Sequence, residues 1–197
     1  MGRTREFDEK VVLSGAMDAF RRKGYAAVSI KDLEEVTGLK GGSIYHSYGN
    51  KAGLFAAAFA WYNQTVLCRR VASYAPEAAG LGGLRALFLT LLHEPDGHSF
   101  GCLITNSAIE FGGDGGALPA GVSAGLQILS DTFRARLAAA HSAGLLRTNI
   151  EPANAASKLF VLYQGILVLV RAGYDKHVLK LLIDTEFNQL EGTPDVT

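Results

Sequence analysis

Apolar residues recur at three- and four-residue intervals through most of this chain, and no sustained stretch alternates with a period of two. The pattern predicts an all-α protein. Leu54, Phe55, Ala58, Trp61, Tyr62, Thr65 and Val66 trace one long helix towards Tyr74. Pro76 and the glycines at 80, 82 and 83 interrupt it, and Leu84 to His93 reads as the next helix. Helices follow over Cys102 to Phe111, from Pro119 to about Ser142, from Pro152 to Ala172, and through Leu190 after a cap at Asp175. Between them, Glu94 to Gly97 and Gly112 to Gly116 read as loops. The last two helices are more apolar than one buried face needs. Leu159, Phe160, Leu162, Tyr163, Ile166, Leu167, Leu169 and Val170 go nearly round the first, and Leu179, Leu182, Ile183 and Phe187 stripe the second. A second subunit or a single chain's own core could cover them.

Residues 29 to 51 depart from this pattern. Two short helices are predicted there, joined by a glycine turn, the second small and polar with aromatic rings. This is the outline of a helix-turn-helix. Ser29 can cap the first helix, and Asp32 suits its positive end. Ile30, Leu33 and Val36 are expected to face the core, while Gly38 takes the left-handed turn. Lys40 to Tyr48 forms the second helix, with Ile44 and Tyr48 as anchors. Gly41, Gly42 and Ser43 keep its leading edge thin. Tyr45 and His46 point elsewhere, available to phosphates or base edges. Asn50 caps the following helix, and Lys51 adds a positive charge at its start.

These residues resemble the TetR family of bacterial transcriptional repressors over about positions 6 to 62. Phe7 to Gly24, ending in Ala-Phe-Arg-Arg-Lys-Gly-Tyr at 19 to 25, is similar to the family's first helix. Ser29-Ile30 and Leu33 are similar to its second. Gly38-Leu39, Gly42 to His46, Tyr48, Lys51 and Leu54-Phe55 are similar to the reading helix and the helix after it. Gly101-Cys102-Leu103 with Asn106 and Glu110 resembles a subgroup of these repressors. The family often carries a small residue where Lys40 stands and a basic one where Gly41 stands, so the order is reversed here.

The resemblance implies a DNA-binding domain over 1–51 and an effector-binding and dimerisation domain over 52–197. It also implies a homodimer through about residues 152–190 on a near-palindromic double-stranded DNA operator, and a small-molecule effector that releases it. Ser29, Lys40, Gly41, Ser43, Tyr45, His46 and Lys51 are the expected DNA face, with Lys40 and Ser43 nearest the bases. Trp61, Tyr62, Phe88, Cys102, Asn106, Phe133 and Gln164 mix rings with polar groups and are candidates to line the effector pocket. No cofactor or metal is implied, and the expected setting is the bacterial cytoplasm.

Composition narrows the picture only a little. With 48% hydrophobic and 19% charged residues, the 197-residue chain can bury a sizeable core. The formal net charge is zero, so overall charge gives no support to nucleic-acid binding. Residues 1–51 nevertheless carry nine Lys or Arg against seven Asp or Glu, a net of +2, with Arg3 and Arg5 in an N-terminal arm and Arg21, Arg22 and Lys23 together. No leader is visible, and the apolar run from Leu159 to Val170 is too short to span a bilayer. Two cysteines, Cys68 and Cys102, provide no disulfide framework. Cys102 raises a second possibility, a thiol signal, with Gly101 before it at a helix start. Gly121-Val122-Ser123-Ala124-Gly125 spells the serine-hydrolase elbow, giving a rival enzyme reading through Ser123, though the motif requires a preceding strand. His93, His98 and Cys102 could approach a metal, but the His spacing is one residue too long for the zinc-protease motif and Pro95 breaks the helix it needs.

Overall fold

A computed structural model of the chain describes residues 7–93, 100–112 and 117–192. Among them the structure is helical, and the one extended pairing is an isolated bridge between Leu146 and Glu191. The helices are α1 (Glu9–Lys23), α2 (Ile30–Thr37), α3 (Gly41–Tyr48), α4 (Lys51–Tyr62), α5 (Cys68–Tyr74), α6 (Gly80–Leu89), α7 (Leu103–Gly112), α8 (Ala120–Ser142), α9 (Pro152–Arg171) and α10 (Lys176–Leu190). The chain divides into two compact units, one of residues 1–67 with 102–125 and the other of 68–101 with 126–197. Packing therefore groups α4 and α7 with α1–α3 in the first unit.

In the first unit, Phe20, Leu33, Ile44, Leu54 and Phe59 are fully enclosed. Their rings interlock: Phe20 meets Phe55 edge-on at 5.0 Å between centroids, and Phe55 meets Phe59 at 5.1 Å. The second unit is organised around Phe88, whose ring is approached by Tyr163, Phe187 and Phe133 at 5.1, 5.3 and 5.8 Å. Edge-to-face contacts of this kind add to the apolar area that each ring removes from water.

Four local expectations change. The long helix from 54 to 74 runs through to Tyr74 but contains a π-helical turn at Asn63–Leu67, where buried Asn63 donates to the Gly121 carbonyl at 2.8 Å. The chain does break between Tyr74 and α6, where Gly80 takes φ +56 at the first residue of α6, but Gly82 and Gly83 lie inside that helix. At Gly83 the reason is close approach, since a Cβ there would stand 2.9 Å from the Tyr74 carbonyl oxygen. Val36 is 43% exposed, and Thr37 is buried in its place. Thr37 tolerates burial because its hydroxyl donates to the Leu33 carbonyl and accepts from the Leu39 amide. The apolar run at 159–170 extends into the 20-residue α9, long and apolar enough by length and composition to cross a membrane. Seven of its side chains, including Leu159, Tyr163 and Ile166, are buried within the protein.

Candidate nucleic-acid interface

The helix-turn-helix forms as its sequence dictates. Ser29 and Asp32 make a reciprocal cap on α2: the Asp32 amide donates to the Ser29 hydroxyl at 3.1 Å, and the Ser29 amide donates to the Asp32 carboxylate at 2.8 Å. The Lys23 ammonium, 2.6 Å away, is the main reason the Asp32 carboxyl is held well below the usual carboxylate range, with the Ser29 donors next. Gly38 ends α2 at φ +70, the left-handed geometry that glycine adopts without strain, and its amide closes on the Glu34 carbonyl. Lys40 gives α3 no side-chain cap. Instead the Glu34 carboxylate, reaching from α2, accepts the Gly41 amide and ties the two helices together. This tie was not read from the sequence, because the two residues are seven apart across a turn.

Ile44 is completely buried and fixes α3 to the body, with Tyr48 half-buried beside it. Lys40, Gly42, Ser43, Tyr45 and His46 are exposed, Tyr45 to 49%, and Gly41 is partly so. A Cβ added at Gly42 would meet nothing within 4 Å. The protein itself therefore does not require glycine there, and a thin helix edge faces outward. Ser29 is exposed with its hydroxyl engaged by Asp32. Lys51 lies partly inward, over the Tyr25 ring at 4.7 Å, and donates to the Ala26 carbonyl at 3.3 Å. The cations at 21–23 are matched locally: Arg21 and Arg22 with Asp18, Lys23 with Asp32. Arg3 and Arg5 lie outside the described residues.

Two descriptions of known families match this chain: bacterial regulatory proteins of the tetR family over residues 12–58, and the tetracyclin repressor-like C-terminal domain over residues 80–185. The chain belongs to the TetR family. This TetR-family chain is 35% identical over 117 residues to the HTH-type transcriptional regulator YezE of Bacillus subtilis (strain 168), a match spanning 56% of the chain and 58% of YezE. It is 25% identical over 175 residues to the HTH-type transcriptional repressor ComR of Escherichia coli (strain K12), covering 87% of the chain and 83% of ComR. Its fold is similar to that of the TetR family transcriptional regulator CifR, solved as a cysteine mutant with 26-base-pair double-strand operator DNA. That match has a TM-score of 0.80 and 23% identity and covers 96% of this chain and 100% of the other. A TetR transcriptional regulator from Chloroflexus aurantiacus matches with a TM-score of 0.79 and 24% identity over 93% of this chain and 96% of its own.

The residues singled out for an effector pocket fall in both units of this regulator. In the first, Tyr62 and Cys102 meet, hydroxyl to sulfur, at 3.3 Å. Asn106 donates to the Arg21 carbonyl at 3.1 Å, and Trp61 is half-buried. In the second, Phe88 and Phe133 are wholly enclosed in the aromatic cluster, and Gln164 is half-buried. Sequence reasoning missed a groove of about 200 Å³ in the first unit, lined by Tyr25, Phe55, Phe59, Phe111, Pro119 and Gly121. Its lining comes from four separate stretches of chain, which no local spacing connects. Ser123 lies within α8, so the strand-to-helix turn that a nucleophile elbow needs is not present around it. No group of His, Cys, Asp and Glu suited to a metal occurs among the described residues, and His98 lies outside them.

Proposed function

We infer that this protein is a transcriptional repressor that binds a near-palindromic operator as a homodimer and releases it when a small effector binds the C-terminal domain. The observation that carries the reading is α3: anchored inward by Ile44, it turns Lys40, Gly42, Ser43, Tyr45 and His46 outward with nothing of the protein's own against Gly42. Lys40 and Ser43 are assigned to base edges. Ser29, Tyr45, His46 and Lys51 are assigned to phosphates, with Gly41 at the helix start giving the backbone close approach.

Dimerisation is supported by the surface of α9 and α10. Val161, Val168, Val178, Leu181 and Leu182 are all more than 40% exposed in the single chain, an apolar face that a second copy would cover. Twofold symmetry then presents two copies of α3 to successive major grooves. Release by an effector requires a ligand that prefers the DNA-incompetent state.

The decisive experiment is binding to the DNA flanking the protein's own gene, with nonspecific competitor and across salt concentrations. Protection of a near-palindrome that survives competition supports the reading. Loss of all binding in competitor, on genome-wide fragments as well, sinks it. Cys102→Ala separates a thiol signal from a bound effector: oxidant-driven release that persists in the variant rules out the thiol.

A further inference from the structure

The turn between α1 and α2 carries a sharp reversal that the helix-turn-helix does not stabilise alone. Gly24 takes φ +83, and the chain leaves α1 with the amides of Tyr25 and Ala26 outside any helix. Both are satisfied by one residue from α7. The Glu110 carboxylate accepts the Tyr25 amide at 2.8 Å and the Ala26 amide at 2.7 Å, one on each oxygen. One helical turn earlier in α7, Asn106 donates to the Arg21 carbonyl at 3.1 Å near the end of α1. The fit is close, since a Cβ at Gly24 would lie 3.1 Å from a Glu110 oxygen. Phe111, next to Glu110, packs against the Tyr25 ring at 5.3 Å, and the same ring meets Phe55 at 5.0 Å. The amides of one short turn are thus held by a carboxylate about 85 residues away in sequence.

We propose that Glu110 and Asn106 are positioning residues for operator binding, holding the α1–α2 turn so that α2 and α3 keep the pose that fits the groove. This rests on the reading of α3 as the DNA-contacting helix. α7 lies within residues 80–185, the stretch matched to the C-terminal domain, yet it packs in the same unit as α1–α3. A displacement of α7 by roughly an ångström would lengthen both charge-assisted hydrogen bonds beyond their working range. The clamp thus ties sequence matched to the C-terminal domain directly to the turn that carries α2 and α3.

Glu110→Gln provides a test in which the sign of the effect decides. The amide keeps the shape of the carboxylate but offers one acceptor oxygen where two amides need acceptors. It also removes a negative charge, which by electrostatics alone would leave affinity for DNA unchanged or raise it. Positioning predicts the opposite: operator affinity falls about tenfold, with the salt dependence of binding unchanged because no phosphate contact is lost. Amide exchange at Tyr25 and Ala26 should quicken while the rest of the protein keeps its protection. Asn106→Ala should show a smaller loss of the same kind, about threefold. Equal or tighter binding by Glu110→Gln overturns the proposal, and so does unchanged protection at Tyr25 and Ala26. If the unsubstituted protein binds no operator, the functional reading fails instead, and the exchange experiment still decides whether Glu110 holds the turn.

Discussion

Two surfaces of this protein stand open in the single chain, and they differ in kind. The outward side of α3 is polar and thin: Gly42, Ser43, Tyr45 and His46 over one buried anchor, Ile44. The outward side of α9 and α10 is apolar: Val161, Val168, Leu169, Val178, Leu181 and Leu182. Exposed apolar area gains free energy only where water is expelled, so the second surface suits a dry partner of matching shape. Small polar groups on a helix with few buried side chains suit a wet, charged partner whose contacts are hydrogen bonds and counterion release. The two surfaces thus differ in the chemistry they offer, which overall composition and zero net charge conceal.

The most severe way to break the comparison is to put charge on the dry surface. Val161→Arg combined with Leu181→Arg should leave a folded monomer in sedimentation and weaken operator binding about a hundredfold, because two linked half-site contacts become one. A dimer that survives both changes places the interface elsewhere. Next in size is the wet surface. Tyr45→Ala should weaken binding about tenfold on every operator variant alike, whereas changes at Ser43 should alter which variants are preferred. The same loss pattern from both residues in an operator-variant series would end that division of labour.

Gly42→Ala sharpens the comparison by separating folding from binding. Nothing lies within 4 Å of the added methyl, so thermal unfolding should show a gain of about 0.5 kcal/mol from reduced backbone freedom. Operator affinity should fall in the same variant. A gain in both would show that the thin edge serves no partner. The smallest effect is in pH. Asp32 is held below its ordinary range, chiefly by Lys23 and then by Ser29. A depressed carboxyl stabilises the fold fully above its unfolded value, about 3.9, and that contribution is lost as pH falls through the folded value. Melting followed from pH 6 down to 3 should therefore show the protein's lead over Asp32→Asn beginning to narrow at the acid end, with the variant showing the flatter profile.

Much of the helix-turn-helix was legible because its determinants are local. Ser29 with Asp32, Gly38 after Thr37, and Ile44 between exposed neighbours each act within a few residues of themselves, and sequence spacing encodes such relations directly. The effector candidates were less legible. Phe88 and Phe133 are rings of the same type as Trp61 and Tyr62, and only packing shows that the first two are enclosed by Tyr163 and Phe187. Spacing also misplaced Val36, since Leu33 to Thr37 is as good a helical interval as Leu33 to Val36 and the neighbouring helix decides which is covered.

The sequence by itself determined the helical class, the helix-turn-helix with its caps and turn, and the surplus of apolar surface on α9 and α10. Each follows from periodicity or from short-range backbone chemistry, which a chain carries with it in any context. Tertiary structure alone decided that Glu34 would cap α3, that Gly83 of α6 would serve close packing, and that Glu110 would hold the turn after α1. Orphaned backbone donors must find acceptors, but which distant side chain supplies them depends on where the fold brings the chain back upon itself.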